Sequence, residues 1–208
     1  MISIERAKVI LDEVKLENHR LQFKEQHVFI CPKLFSDSLH PIISNKLNSS
    51  PYIQKIDKKE DGSIISQEYS ISSEAIITQI INFYLNQNAV IEAVKKISNN
   101  PKIKSFKGRV YKFEADEFSF DNWHDDRTDN SRLLGLSINL SEAPYDGGEF
   151  QIRNKENKQV YTKVKHQHWG SAHFFRIHPM LEHVVTKIKG NSPRIAFAGW
   201  FMNDPFFK

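Results

Sequence analysis

The segment Trp123-His124-Asp125-Asp126 carries a His-x-Asp pair. Residues two apart on an extended chain point to the same side, so His124 and Asp126 can grip one ion together. A third ligand must come from elsewhere in the fold. His183 suits that place best, because it opens an apolar run, His183-Val184-Val185, that reads as a strand. Two histidines and one carboxylate on one face of a metal form the facial ligand set of non-haem Fe(II), which leaves the opposite positions open for a co-substrate and oxygen. The chain holds 9 histidines, so a His-x-Asp pair arises easily by chance, and His166, His168, His173 and His178 compete with His183. His166 and His168 could form a metal pair of their own. His173, inside an apolar strand, reads as a core or cofactor-lining residue.

Arg194 follows the turn Lys189-Gly190-Asn191-Ser192-Pro193. Pairing residues 184–188 with 195–201 as a hairpin would return Arg194 towards His183 from the neighbouring strand. Arg194 shares its strand face with Ala196, Ala198 and Trp200, whereas Ile195, Phe197 and Phe201 take the other. A face of small residues with one cation suits a lined cavity better than a packed core. A planar guanidinium is suited to a bidentate grip on a carboxylate. Beside a half-open iron site it suggests a cofactor with a carboxylate at its far end, the shape of 2-oxoglutarate.

The elements that must position these residues change character half-way along the chain. Leu134, Leu136, Ile138 and Leu140 alternate with Gly135, Ser137 and Asn139, a strand pattern. Further short strands are expected from residue 149 and over 160–165, 172–177, 184–188 and 195–201, so residues 105–203 read as an antiparallel sandwich or barrel. The first half reads as helical. Ser3 is placed to cap a helix with Ala7, Ile10, Leu11 and Val14 on one face, and a second helix is expected over 35–47. Residues 73–98 give two further helices broken near Asn86-Gln87-Asn88. Between them, 48–72 is polar with an Asp61-Gly62 turn and reads as a loop or exposed hairpin. These helices are expected on the outside of the β core, giving one α+β domain over residues 1–208.

Composition narrows the setting. The 208 residues suffice for one buried core, and 15 Phe argue against disorder. Cys31 is the only cysteine, which excludes an intramolecular disulfide and a thiolate metal cage and suits a reducing, cytoplasmic compartment. The start, MISIERAKVILDEV, is too charged for a secretory signal, and the most apolar stretch, 75–85, is too short to span a bilayer. Lys+Arg 29 against Asp+Glu 25 leaves a formal net charge of +4, dispersed rather than gathered into a basic stripe. Neither a nucleic acid nor a membrane is expected as a partner.

Taken in order, these residues resemble the 2-oxoglutarate- and Fe(II)-dependent dioxygenases, prolyl 4-hydroxylase-like branch. The resemblance covers about residues 105–202. It rests on Val110-Tyr111, His124-x-Asp126, Ile138-Asn139-Leu140, Gly147-Gly148-Glu149-Phe150, Gly170-Ser171-Ala172-His173-Phe174-Phe175, His183, Arg194 and Trp200. It implies a double-stranded β-helix (jelly-roll, cupin-like) core over 105–208 with 1–104 as mainly helical support. It further implies that His124, Asp126 and His183 bind Fe(II), that Arg194 holds the distal carboxylate of 2-oxoglutarate, and that Tyr111 hydrogen-bonds the same cofactor. Ser137 falls where some members carry a tyrosine touching that carboxylate, so its shorter hydroxyl would serve at closer range. The His183–Arg194 interval is slightly longer than in the family and implies a longer turn.

The activity so implied consumes O2 and 2-oxoglutarate, releases succinate and CO2, and hydroxylates an unactivated C–H bond. Related halogenases replace the carboxylate of the triad with a small residue; with Asp126 present, hydroxylation is expected. Trp123, Arg127 and Arg132 flank the mouth and are candidates for holding a substrate carboxylate or stacking on a ring, with ordinary surface roles as the alternative. An amino-acid-like or other small-molecule substrate is expected, the alternatives being a prolyl-type hydroxylase of a peptide or protein and a non-catalytic metal-binding β-barrel sensor.

Overall fold

The computed structural model describes every residue except 7, 59–60, 117–118, 128–129, 167 and 205–208. The chain opens with a hairpin of β1 (Ile2–Ile4) and β2 (Val9–Leu11), then α1 (Glu13–Gln26) and β3 (Val28–Cys31). The helix expected from Ser3 is therefore absent from that segment. Ile10 and Leu11 face Ser3 and Ile2 across the hairpin, Val14 is 75% exposed, and Ala7 lies outside the described residues. The helix begins only after Asp12, whose carboxylate accepts the Lys15 N–H at 3.1 Å as an N-cap. Within α1 only Leu16 and Phe23 are buried, so residues of the hairpin had completed an apparent helical stripe.

A single 3-10 turn (Asp37–Leu39) leads into α2 (His40–Asn48), with Pro41 in the first turn where its missing N–H costs nothing. The polar stretch that follows is a hairpin of β4 (Ile53–Lys58) and β5 (Ile64–Ser70). Next come α3 (Ile76–Leu85) and α4 (Asn88–Ser98), split where expected. The remaining strands are β6 (Ser105–Phe113), β7 (Phe120–Asp121), β8 (Arg132–Asn139), β9 (Asp146–Gly147), β10 (Phe150–Asn154), β11 (Val160–Val164), β12 (Ala172–Arg176), β13 (Leu181–Val185), β14 (Ile188–Lys189) and β15 (Arg194–Met202).

The larger sheet runs β3-β12-β8-β15-β6-β5-β4, with β7 joined to β5; β11-β10-β13 and the β9-β14 pair form the smaller sheets. The fold is the α+β jelly-roll expected, with one refinement. Strands β3, β4 and β5 come from the N-terminal half, which is thus more than helical support. The expected hairpin between the His183 strand and the Arg194 strand does not form. Both edges of β15 are taken, by β6 and by β8, and β13 pairs with β10 instead. His183 and Arg194 consequently stand on different sheets.

One face of β15 buries Phe197 and Phe201 in an apolar cluster shared with Phe106, Phe174 and the inner faces of α3 and α4. Asn82 and Asn86 dock α3 on β6. Asn82 accepts the Gly108 N–H at 2.9 Å and donates to its carbonyl at 3.0 Å, and Asn86 does the same with Phe106, both at 2.8 Å. On the other face the register places Arg109, Ala198, Ser137 and His173 side by side across β6, β15, β8 and β12. This row looks into a cavity.

Candidate active site

The cavity measures about 1070 Å³, at the upper end of the ordinary range for ligand sites. The residues assigned a site role by the resemblance or as substrate contacts all line it: Tyr111, Trp123, His124, Asp126, Arg127, Arg132, Ser137, His183 and Arg194; of the competing histidines, His173 lines it and His166, His168 and His178 do not. The arrangement is built by the segment after β7, which crosses from the larger sheet to the smaller. Asp121, at the end of β7, accepts the Val185 N–H of β13 at 2.7 Å. His124 and His183 then exchange backbone hydrogen bonds of 3.0 and 2.8 Å, which sets their rings 4.3 Å apart. Asp126 does not simply continue an extended strand. Its φ of 56° turns the chain left-handed and swings the carboxylate back to both rings. Oδ1 lies 3.4 Å from His124 Nε2 and Oδ2 lies 3.2 Å from His183 Nε2.

The immediate neighbours fix these three groups. Nδ1 of His124 lies 2.7 Å from the Asn122 carbonyl and 3.2 Å from the Asp121 carboxylate, so Nδ1 carries a proton and Nε2 is the nitrogen turned towards Asp126. Trp200 donates to Asp126 Oδ2 at 2.7 Å, and Arg132 donates to the Asp126 carbonyl at 3.2 Å while stacking 3.6 Å over the Trp200 ring. Burial opposes charge on His124, but Asp121 and Asp126 outweigh it and raise its pKa well above the ordinary value. Burial likewise works against the Asp126 carboxylate, yet His183 and His124 hold its pKa well below the usual range.

Arg194 faces this cluster from the other sheet. It is 3% exposed, donates through Nη2 to Ser137 Oγ at 3.0 Å, and keeps a buried Nε with no partner. Ser137 Oγ is in turn 3.2 Å from His166 Nε2, whose ring lies tilted beside that of His173 with centroids 4.7 Å apart. Burial, aided by the neighbouring charge of Arg194, drives the pKa of both His166 and His173 well below the ordinary value. Both rings stay neutral, so the positive charge at this end belongs to Arg194. Gly148 makes room for it, since at φ 61° a Cβ there would stand 3.0 Å from Arg194 Cδ and 2.7 Å from Ile188 Cδ1.

Tyr111 projects from β6 into the same cavity. Burial pushes its pKa up to about 12, against the pull of Arg109. Trp123 stacks under the Arg153 guanidinium at 3.7 Å, and Arg127 is exposed at the rim. Several groups here were not singled out from sequence. Asp121, Arg109 and Glu68 depend on strand pairings far apart in the chain, while Trp200 and His166 were noted without the contacts they make here.

A family model described as the 2OG-Fe(II) oxygenase superfamily matches residues 106–202, the stretch from β6 to the end of β15. Residues 106–202 belong to the 2OG-Fe(II) oxygenase superfamily. The protein is a 2-oxoglutarate-dependent dioxygenase, and Fe(II), 2-oxoglutarate and O2 are the reagents its family uses. Among solved structures, an oxidoreductase of the 2OG-Fe(II) oxygenase family from Burkholderia pseudomallei is similar at 14% identity and a TM-score of 0.71, with 94% of each chain covered. A prolyl hydroxylase from Trichoplax adhaerens, in complex with a hypoxia inducible factor oxygen degradation domain peptide fragment, gives 15% identity and 0.64 over 93% of this chain and 94% of that one. SnoN, a non-heme alpha ketoglutarate dependent epimerase from nogalamycin biosynthesis, gives 11% and 0.65 over 92% and 84%. At such identities the likeness speaks for the oxygenase fold. No curated protein matches the chain.

The oxygenase residues fit the groups its family uses. One nitrogen from each of His124 and His183 and one Asp126 oxygen lie within 4.8 Å of one another, a donor set of the right chemistry for Fe(II). The unpartnered Nε of Arg194 fits an incoming carboxylate. Among the described residues no helix of the oxygenase is long and apolar enough to cross a membrane.

Proposed function

We propose that His124, Asp126 and His183 hold Fe(II), that Arg194 with Ser137 binds the distal carboxylate of 2-oxoglutarate, and that the enzyme hydroxylates an unactivated C–H bond of an amino-acid-like or other small-molecule substrate. One observation carries the reading: a facial donor set and a buried, incompletely paired guanidinium face one cavity from opposite sheets. When bound, Fe(II) and 2-oxoglutarate supply the oxidising power, so that R–H, O2 and 2-oxoglutarate become R–OH, succinate and CO2.

The protein's own share is orientation and shelter. Trp200 holds the Asp126 carboxylate, and Asp121 with the Asn122 carbonyl holds the His124 tautomer. Ser137 steers the Arg194 fork, and Tyr111 lines the same cavity as a candidate hydrogen-bonding partner of 2-oxoglutarate. Phe113, Phe150 and Phe175 supply an apolar part of the cavity lining. Retention of Asp126 supports hydroxylation over halogenation. Arg127 and Trp123 stand at the rim as substrate contacts, while Arg132 is committed to Asp126 and Trp200. Residues 1–208 act as one catalytic domain, since a single apolar cluster runs from Ile2 to Phe201. A cytoplasmic location suits Cys31, a free buried thiol.

The test is succinate formation with Fe(II) and O2, first with 2-oxoglutarate alone and then with panels of free amino acids and of proline-containing peptides. Slow turnover alone, stimulated by members of the first panel, is the expected result. Stimulation by peptides only, or a chlorinated product, would overturn the substrate or the reaction assigned.

A further inference from the structure

One wall of the cavity holds charges that the proposed chemistry does not use. In β5, Ser66, Glu68 and Ser70 are buried in alternation, and Ser66 and Glu68 line the cavity. Glu68 is 2% exposed, and neither carboxylate oxygen has a hydrogen-bond partner. Lys55 sits opposite it across the hairpin, but its ammonium is spent on Asp57 at 2.6 Å. On β6 Arg109 belongs to the inward row and lines the same cavity, its Nε buried and unpartnered and its guanidinium 5.0 Å from the Tyr111 ring. Glu68 and Arg109 make no ion pair with each other or with any other described residue.

An unpaired buried carboxylate is costly for a free protein, because Glu68 loses water without gaining a partner, while the half-buried Arg109 has the Tyr111 ring beside it and no carboxylate. The two are complementary to a ligand that brings both opposite charges at once. Ser66 faces Asp121 across the β5–β7 pairing, and the Asp121 carboxylate lies 3.2 Å from His124 Nδ1, which sets this wall beside the His124–Asp126–His183 cluster in the same cavity.

We infer that Glu68 and Arg109 form the subsite for the substrate's charged head, an ammonium on Glu68 and a carboxylate on Arg109, so that the substrate is a free α-amino acid. The inference rests on the proposed function and narrows its substrate class. A peptide bond is neutral and would satisfy neither charge.

The experiment measures binding by calorimetry to the protein loaded with Mn(II) and 2-oxoglutarate without O2, using the twenty standard amino acids as probes. The tightest binder is then compared with its N-acetyl and carboxamide derivatives. Wild-type protein is expected to bind each derivative at least about 10-fold more weakly than the parent, the loss of one charge-assisted contact. Glu68→Gln is expected to lose the discrimination against the N-acetyl compound, and Arg109→Gln that against the carboxamide. Binding of no amino acid, equal binding of parent and derivatives, or discrimination unchanged in both variants would overturn the subsite. The wild-type comparison decides even where a variant fails to fold. Failure of the oxygenase reading shows up separately, as absent 2-oxoglutarate consumption by wild-type protein with Fe(II) and O2.

Discussion

Trp200 donates its indole N–H to Oδ2 of Asp126 at 2.7 Å, the same oxygen that lies 3.2 Å from Nε2 of His183. The Asp126 carboxylate, carried on a left-handed turn, is thereby held by a residue of the larger sheet. Its position is set by the register of β15 rather than by its own segment.

Trp200→Phe removes the indole N–H while leaving an aromatic ring under Arg132. Outer partners of metal ligands typically contribute a factor of 10–100 in metal affinity. The variant is expected to bind Mn(II) roughly 10–100-fold more weakly, with its thermal midpoint little changed. A titration giving the wild-type affinity would show that Asp126 holds its place without Trp200.

Arg194→Lys retains the charge but loses the planar fork. Ser137 keeps one donor in reach, while the second arm of a bidentate grip is gone. A charge-assisted hydrogen bond contributes about 1.5–3 kcal/mol, so 2-oxoglutarate affinity should fall by roughly 10–100-fold. A 2-oxo monoacid such as 2-oxobutanoate has no distal carboxylate and should bind wild type and variant alike. Equal losses for the two acids would place Arg194 elsewhere in the chemistry.

Gly148→Ala meets two obstacles at once. The φ of 61° is strained for an L side chain by about 1–2 kcal/mol, and the new methyl would press on Ile188 and Arg194. Lower thermal stability together with a raised KM for 2-oxoglutarate is the expected pair of effects. A lowered melting temperature with an unchanged KM would mean that Ile188 yields and Arg194 does not move.

Much of this site was legible because its signals are local. His124 and Asp126 lie two residues apart, and the parity of Arg194 with Ala198 and Trp200 needed only strand alternation. The break between α3 and α4 was marked by its own asparagines. What escaped was non-local or ambiguous. That β13 pairs with β10 instead of β15 depends on which sheet edges are already filled, and no short window of sequence records that. The N-terminal hairpin imitated a helix because Ile10 and Leu11 happened to fall at helical spacing. Ser66, Glu68 and Ser70 alternate as a solvated strand face does, yet β5 turns that face into the cavity. Polarity alone cannot tell a wet surface from a charged pocket.

Glu68 also leaves a mark on stability that needs no ligand. Burial raises its pKa from 4.5 to about 7. A folded state with the higher pKa binds the proton more tightly than the unfolded chain, so stability falls as pH rises from about 4.5 to about 7 and then levels. The full cost is on the order of 3 kcal/mol by the usual 1.36 kcal/mol for each pKa unit. Glu68→Gln removes this term, whereas contributions from His166 and His173 are common to both proteins and cancel in the difference. Substrate-free Glu68→Gln should therefore match wild type near pH 4.5 and exceed it progressively towards pH 7.5 in urea unfolding. A difference independent of pH would mean that the Glu68 carboxylate finds a partner in solution, and the charged wall of the cavity would then be closed to a zwitterion.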